Sequence, residues 1–162
     1  MPLEEEFIMC VRKATIHDVP EMLQLINGYA KDGLMLMKSP YQIYRNIQSF
    51  CVYEEDKKII GCCRLNVVWK NLAEIASLAV SKEHNKKGIG RQLVQFSVNE
   101  GIELGINEFF TLTYQSAFFE KCGFTYTEKE TLPHKVFGDC LMCPKIDNCD
   151  EMAYVLKIAS NY

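Results

Sequence analysis

The sequence predicts one α/β (α+β) domain with a mixed sheet. Helical-period segments alternate with strand-like apolar runs, and no internal repeat, low-complexity tract or linker separates them. The run from Ala73 to Val80 is nearly all apolar, as expected for a central strand covered on both faces. With 162 residues and 48% hydrophobic content, the chain can bury one sizeable core.

Residues 1–9 read as a leader, with a single domain over 10–162. The first strand is expected from Cys10 to Ala14. Asp18, Pro20 and Glu21 then supply an N-cap acid, a first-turn proline and a capping-box glutamate. The helix they open should bury Met22, Leu25, Ile26 and Tyr29. Ser39, Pro40 and Gln42 open a second, short helix by the same logic, with Ile43, Tyr44 and Ile47 facing inward. Phe50 to Tyr53 and Lys58 to Trp69 should pair as a hairpin across a charged turn. After the central strand comes a helix from about Gly88 to Leu104, burying Ile89, Leu93, Phe96 and Val98 or Ile102. Phe109 to Thr113 reads as a strand, Ser116 to Lys121 as a short helix, Gly123 and Phe124 as the start of a strand, and Met152 to Ile158 as the closing strand.

Charge and composition narrow the function. A formal net charge of -3 offers no basic stripe for nucleic acid. No apolar run is long enough to span a membrane, and the acidic start is unlike a signal peptide, so a cytoplasmic location is expected. The chain has 8 cysteines, and in a reducing compartment most would be small buried hydrophobes. Cys140, Cys143 and Cys149, with His134 and Asp150 close by, have the ligand types of a small zinc site. A second CxxC or CxxH pair is missing, so reduced structural thiols or a redox-sensitive loop stand against zinc.

The stretch from Leu78 to Leu93 carries the strongest chemical signal. A strand runs into a polar loop, and the loop becomes a helix whose start holds Gly88 and Gly90. A helix start presents unpaired N–H groups and a partial positive charge, which suits a phosphate. The two glycines would let a pyrophosphate approach the backbone, with Lys86, Lys87 and Arg91 adding cations. A solvated helix start is the plainer alternative.

These residues and their order resemble the GNAT superfamily of acetyl-CoA-dependent N-acetyltransferases. The family motif Arg/Gln-x-x-Gly-x-Gly/Ala is matched from Asn85 to Gly90, with Asn85 departing from the usual longer residue. The later pattern, an aromatic short helix followed by Gly-Phe, is matched by Ala117 to Phe124. A narrower resemblance is to N-acetylglutamate synthases, through Gly33 to Ser39, Glu74 to Val80, Leu112-Thr113, and Leu132 to Lys135. The tail from Asp139 to Glu151 is similar to that of short bacterial versions, which lack the kinase-like regulatory domain for which this chain has no room.

The resemblance implies a GNAT-like mixed, mostly antiparallel sheet flanked by helices, and acetyl transfer from acetyl-CoA to L-glutamate in arginine biosynthesis. Another amino acid or small amine is an alternative acceptor, and a non-catalytic acyl-CoA sensor is a third reading. Leu78, Ala79 and Val80 would pair with the pantetheine arm, while Lys86, Lys87, Gly88, Ile89, Gly90 and Arg91 hold the pyrophosphate. Glu74 would be the base, and Lys38 and Lys135 would read the substrate carboxylates, with Lys70 a further possibility. Ser77, Leu112 and Thr113 would line the acceptor site. Many members carry a tyrosine acid where this chain has Phe119; Tyr114, on the wrong side of the short helix, is the nearest substitute, and departure of the thiolate to solvent is the alternative. A homodimer is the expected assembly.

Overall fold

A computed structural model describes residues 10–85, 87–132 and 150–159. Its strands are β1 (Val11–Lys13), β2 (Phe50–Glu55), β3 (Lys58–Trp69), β4 (Leu72–Val80), β5 (Glu108–Thr113), β6 (Thr125–Thr127) and β7 (Met152–Lys157). The helices are α1 (Val19–Lys31), α2 (Pro40–Arg45), α3 (Ile89–Glu103) and α4 (Ser116–Lys121). The strands form one sheet in the order β1-β2-β3-β4-β5-β7-β6, antiparallel at every step except β4 to β5. This is the mixed, mostly antiparallel sheet that the sequence predicts.

Local chemistry explains most of these boundaries. The β2–β3 hairpin turns through Asp56 and Lys57, both with positive φ (50° and 63°), a pairing whose twist matches that of the flanking strands. Ser39 caps α2: its hydroxyl accepts from the Gln42 amide at 3.2 Å, and the Gln42 side chain accepts from the Ser39 amide at 2.8 Å. Asp18 does not cap α1 as expected. Its carboxylate turns back to accept from the Thr15 amide at 2.7 Å and from both Nη atoms of Arg12 at 2.7 and 2.9 Å. Glu21 likewise leaves its own helix and accepts from the Ile59 amide at 2.9 Å, tying α1 to β3.

The period-2 alternation of the strands divides the core between two faces. Cys51, Tyr53, Cys63, Leu65, Ala73 and Ile75 pack against Ile89, Leu93, Val94 and Val98 of α3. Phe50, Val52, Ile59, Cys62 and Ala79 pack instead against Val19, Met22 and Ile26 of α1 and Ile43 of α2. Full burial of each large apolar side chain stabilises the fold by about 1.5–3 kcal/mol. Tyr44 is exposed rather than inward, because α2 has only six residues and Ile43 takes its buried face. Ile102 is exposed too, and Gly101 takes the buried position beside it. A Cβ on Gly101 would overlap Cε1 of Phe109, so only glycine lets α3 lie this close to β5.

Two irregularities in β4 shape the space beside it. Cys62 pairs with Ala79 and Arg64 with Ala76, so β4 has one residue more than β3 in this interval. Ser77 sits in that bulge with φ of 51°. The extra residue changes the side-chain parity: Glu74 and Ala76 share a face with Ala79, while Ile75 shares one with Leu78 and Val80. The second irregularity is that β4 and β5 pair only from Leu72–Glu108 to Glu74–Phe110. Beyond them the pairing stops, although β5 continues against β7 as far as Thr113.

Candidate active site

The parting of β4 and β5 opens a cleft of about 990 Å³ at the C-terminal ends of the two parallel strands. Ligands of open sheets commonly bind at such an opening. One wall is β4, contributing Glu74, Ser77, Leu78 and Val80. The opposite wall is Leu112 and Thr113 of β5, followed by Tyr114 and Phe118. Gly88, Ile89, Gly90 and Arg91 at the head of α3 close one end, and Lys38 with Arg64 lies on the rim. Residues far apart in the sequence therefore meet here: Lys38, Glu74, Ser77, Leu78, Val80, Gly88 to Arg91, Leu112 and Thr113 share one cavity.

The remaining candidates are arranged differently. Ala79 is buried in the core on the α1 side, so any contribution it makes to this cleft comes through its backbone. Lys87 and Lys70 do not line the cleft, and Lys70 lies exposed beyond the end of β3. Lys86 and Lys135 lie outside the described residues, as do His134, Cys140, Cys143 and Cys149. Among the described residues no group of His, Cys, Asp or Glu is gathered to hold a metal ion.

The head of α3 suits an anion in one respect more than another. Gly88 is its N-cap, with φ of 78°, and a Cβ there would meet nothing within 4 Å. Glycine is required by the backbone, and the space above it is open. Gly90 has a packing reason instead, since a Cβ there would lie 3.1 Å from the Phe118 ring. Both glycines line the cleft. On β4, the Val80 carbonyl already accepts from the Tyr29 hydroxyl at 2.5 Å, which leaves fewer of the strand's polar groups for a ligand than the sequence suggested.

Glu74 is half-buried on an interior strand. Its Oε1 accepts from Nδ2 of Asn66, its partner on β3, at 3.1 Å. Oδ1 of Asn66 accepts in turn from Nη2 of Arg64 at 3.1 Å. The amide is thereby oriented from both sides, cation on its oxygen and carboxylate on its nitrogen. Neither Arg64 nor Asn66 is among the residues the sequence singles out. The available signal was two polar residues two apart in an otherwise apolar strand, which places both on one covered face.

Lys38 is positioned through its backbone: Asn27 of α1 accepts from its amide at 3.0 Å and donates to its carbonyl at 3.1 Å. Phe119 is buried, with edge-to-face rings at 5.0 Å (Phe118) and 5.3 Å (Phe124). It has no proton to give. Tyr114 lines the cleft, and its hydroxyl donates to Asp150 at 2.6 Å. Cys122 lies on the same wall, where burial pushes its thiol up against the opposing charge of Arg91.

A mixed sheet that splays at its parallel pair, with a glycine-capped helix at the opening and a carboxylate on its wall, defines an acyl-group transferase. Residues 46–126 match the acetyltransferase (GNAT) domain, and the chain belongs to that family of N-acetyltransferases. It is 42% identical over 146 residues to an uncharacterised N-acetyltransferase of Chlorobaculum tepidum, covering 90% of this chain and 94% of that one. It is 34% identical to the amino-acid acetyltransferase of Mycobacterium tuberculosis, covering 85% of this chain and 79% of that one. A crystal structure of a Mycobacterium tuberculosis protein in complex with CoA superposes with a TM-score of 0.80 at 28% identity, over 92% of this chain and 99% of that one. The N-acetylglutamate synthase of Neisseria gonorrhoeae, solved with coenzyme A and N-acetyl-glutamate, shares the fold with a TM-score of 0.84 at 24% identity. That match covers 93% of this chain and 35% of the other.

Proposed function

We infer that the chain transfers the acetyl group of acetyl-CoA to the α-amine of L-glutamate, giving N-acetylglutamate and CoA. The observation that carries this reading is that Glu74, held by Asn66, faces the same cleft as the Gly88 cap of α3. A base and an anion cradle thus border one space large enough for a thioester and an amino acid. The amino-acid acetyltransferase relatives and the CoA-bound structures support the choice of donor and acceptor.

Amino-acid ammonium groups are mostly protonated near neutral pH, so the acceptor must lose a proton before it attacks. Glu74 takes that proton, directly or through a water. The amine then attacks the thioester carbonyl carbon, the attacking nitrogen gives up its second proton to solvent, and the carbon–sulfur bond breaks as the tetrahedral intermediate collapses. Phe119 cannot protonate the departing thiolate, which takes its proton from solvent. Amides at the head of α3 hold the pyrophosphate, with Arg91 adding charge. The backbone of Leu78, Ala79 and Val80 runs along the pantetheine arm. Lys38 and Lys135 read the acceptor's carboxylates, and Ser77, Leu112 and Thr113 border its amine. This activity belongs with a cytoplasmic role in arginine biosynthesis, and a homodimer is the assembly we assign.

Release of free thiol from acetyl-CoA across a panel of amino acids and amines tests the reading. Selective turnover with glutamate supports it. Preference for a different amine overturns the acceptor, and CoA binding without any turnover makes the chain a sensor.

A further inference from the structure

At its α3 end the cleft has a cation that the proposed function leaves unused. Phe118 of α4 lies against Gly90, where an added Cβ would come within 3.1 Å of its ring. Lys121 and Cys122 follow Phe118 by three and four positions, the helical spacing that puts side chains on one face. All three line the cleft. Arg91 lines it from the first turn of α3, next to Gly90, and its charge opposes the rise that burial causes in the Cys122 thiol. Arg91 and Lys121 thus converge from two helices on one end of the cleft. We propose that Lys121, together with Arg91, binds the 3′-phosphate of the acyl donor; the inference rests on the acetyl-CoA reading above.

Both cations are exposed, and among the described residues neither makes an ion pair or a side-chain hydrogen bond. Glu120, the acid next to Lys121 on α4, is engaged elsewhere: its Oε1 accepts from the Tyr154 hydroxyl at 3.0 Å. A lysine in the last turn of a helix also complements the helix dipole, and Lys121 holds that position. That role calls for no second cation from another helix, and it does not require the side chain to line the cleft.

The chemistry of the donor sets which anion these cations meet. Its nucleotide end carries two acidic groups, the pyrophosphate and the 3′-phosphate of the ribose. Under the reading above, amides at the head of α3 hold the pyrophosphate. A helix start supplies N–H groups and roughly half a positive charge. A phosphate monoester carries about −1.5 to −2 charges near neutral pH, which formal cations match better. The 3′-phosphate lies one ribose beyond the pyrophosphate, and Arg91 and Lys121 stand beside the cradle rather than within it. Lysine serves a phosphate as a point charge, and arginine can add a planar fork.

The test compares acetyl-CoA with acetyl-3′-dephospho-CoA, which differs only in this phosphate. Thiol release gives KM for each donor with the wild type, Lys121→Met and Lys121→Arg, and calorimetry gives Kd for CoA and 3′-dephospho-CoA. The wild type should favour the phosphorylated form by about tenfold, as for a charge-assisted contact. Lys121→Met should narrow that preference to about threefold or less while kcat holds. Lys121→Arg should keep it, and added salt should narrow it in the wild type because both cations are exposed. Equal weakening of both forms by Lys121→Met, no weakening of either, or a wild type indifferent to the phosphate would overturn the subsite while leaving acetyl transfer in place. A wild type that neither turns over acetyl-CoA nor binds CoA would instead overturn the acetyl-CoA reading, and the subsite with it.

Discussion

Asn66 donates to Glu74 across the β3–β4 ladder at 3.1 Å and thereby fixes the one carboxylate on the β4 wall of the cleft. If Glu74 takes the acceptor's proton, Glu74→Gln preserves the shape and the hydrogen-bond geometry but removes the base. The expected loss in kcat near neutral pH is about 10²–10⁴-fold. Raising the pH should recover part of it, because the free amine becomes more abundant. Steady-state kinetics from neutral to alkaline pH check this, and an unchanged turnover number at saturating substrate would remove Glu74 from the mechanism.

Gly88 is the backbone device at the head of α3. Gly88→Val must hold a β-branched residue at φ of 78°, and it places methyl groups in the open space above the helix start. The KM for acetyl-CoA should rise about tenfold or more, an effect comparable with losing a charge-assisted contact. Lys87→Ala should change it less than about twofold, as expected for a solvated cation. Titration with CoA by calorimetry separates the two variants.

How far the sequence exposed this site depends on whether each signal was local. The β2–β3 hairpin, the apolar strand β4 and the start of α3 were legible because turn residues, apolar runs and glycines act over a few positions. Glu74 and Lys38 came from motif resemblance, and both lie on the cleft. Arg64 and Asn66 were missed because their meaning depends on register across two strands. The bulge at Ser77 sets that register, and no local pattern announces it. Asp18 was misread for a related reason: its capping chemistry is local, but its partner Arg12 lies on another element and takes both oxygens.

Asp18 makes a specific stability prediction. The hydrogen bond from Arg12 holds its carboxyl below the usual range, outweighing the burial that would raise it. A carboxyl depressed in the folded state contributes stability that is present above its unfolded pKa of about 3.9 and is lost as pH falls through the folded value. Asp18→Asn should therefore lower stability near neutral pH by about 1–2 kcal/mol, discounted because Arg12 is partly exposed. It should also flatten the acid limb of the stability curve below about pH 4. Urea unfolding at several pH values gives both quantities, and parallel curves for the two proteins would contradict the assignment.

Gly101 predicts a packing effect away from the chemistry. In Gly101→Ala the new methyl group would overlap the Phe109 ring, so α3 or β5 must shift. Overpacking of this kind costs about 1–3 kcal/mol. A protein of this length then loses about 2–4 °C of Tm per kcal/mol. Calorimetry measures the shift, and an unchanged Tm would mean that the contact relaxes without cost.

The decisive measurement incubates the purified chain with acetyl-CoA and α-¹⁵N-glutamate and identifies the product by mass spectrometry. The expected product is N-acetylglutamate with the acetyl group on the labelled nitrogen, formed in step with free CoA and largely lost in Glu74→Gln. Thiol release with no acetylated glutamate, or acetyl groups recovered only on a different amine, would contradict glutamate acetylation by this chain.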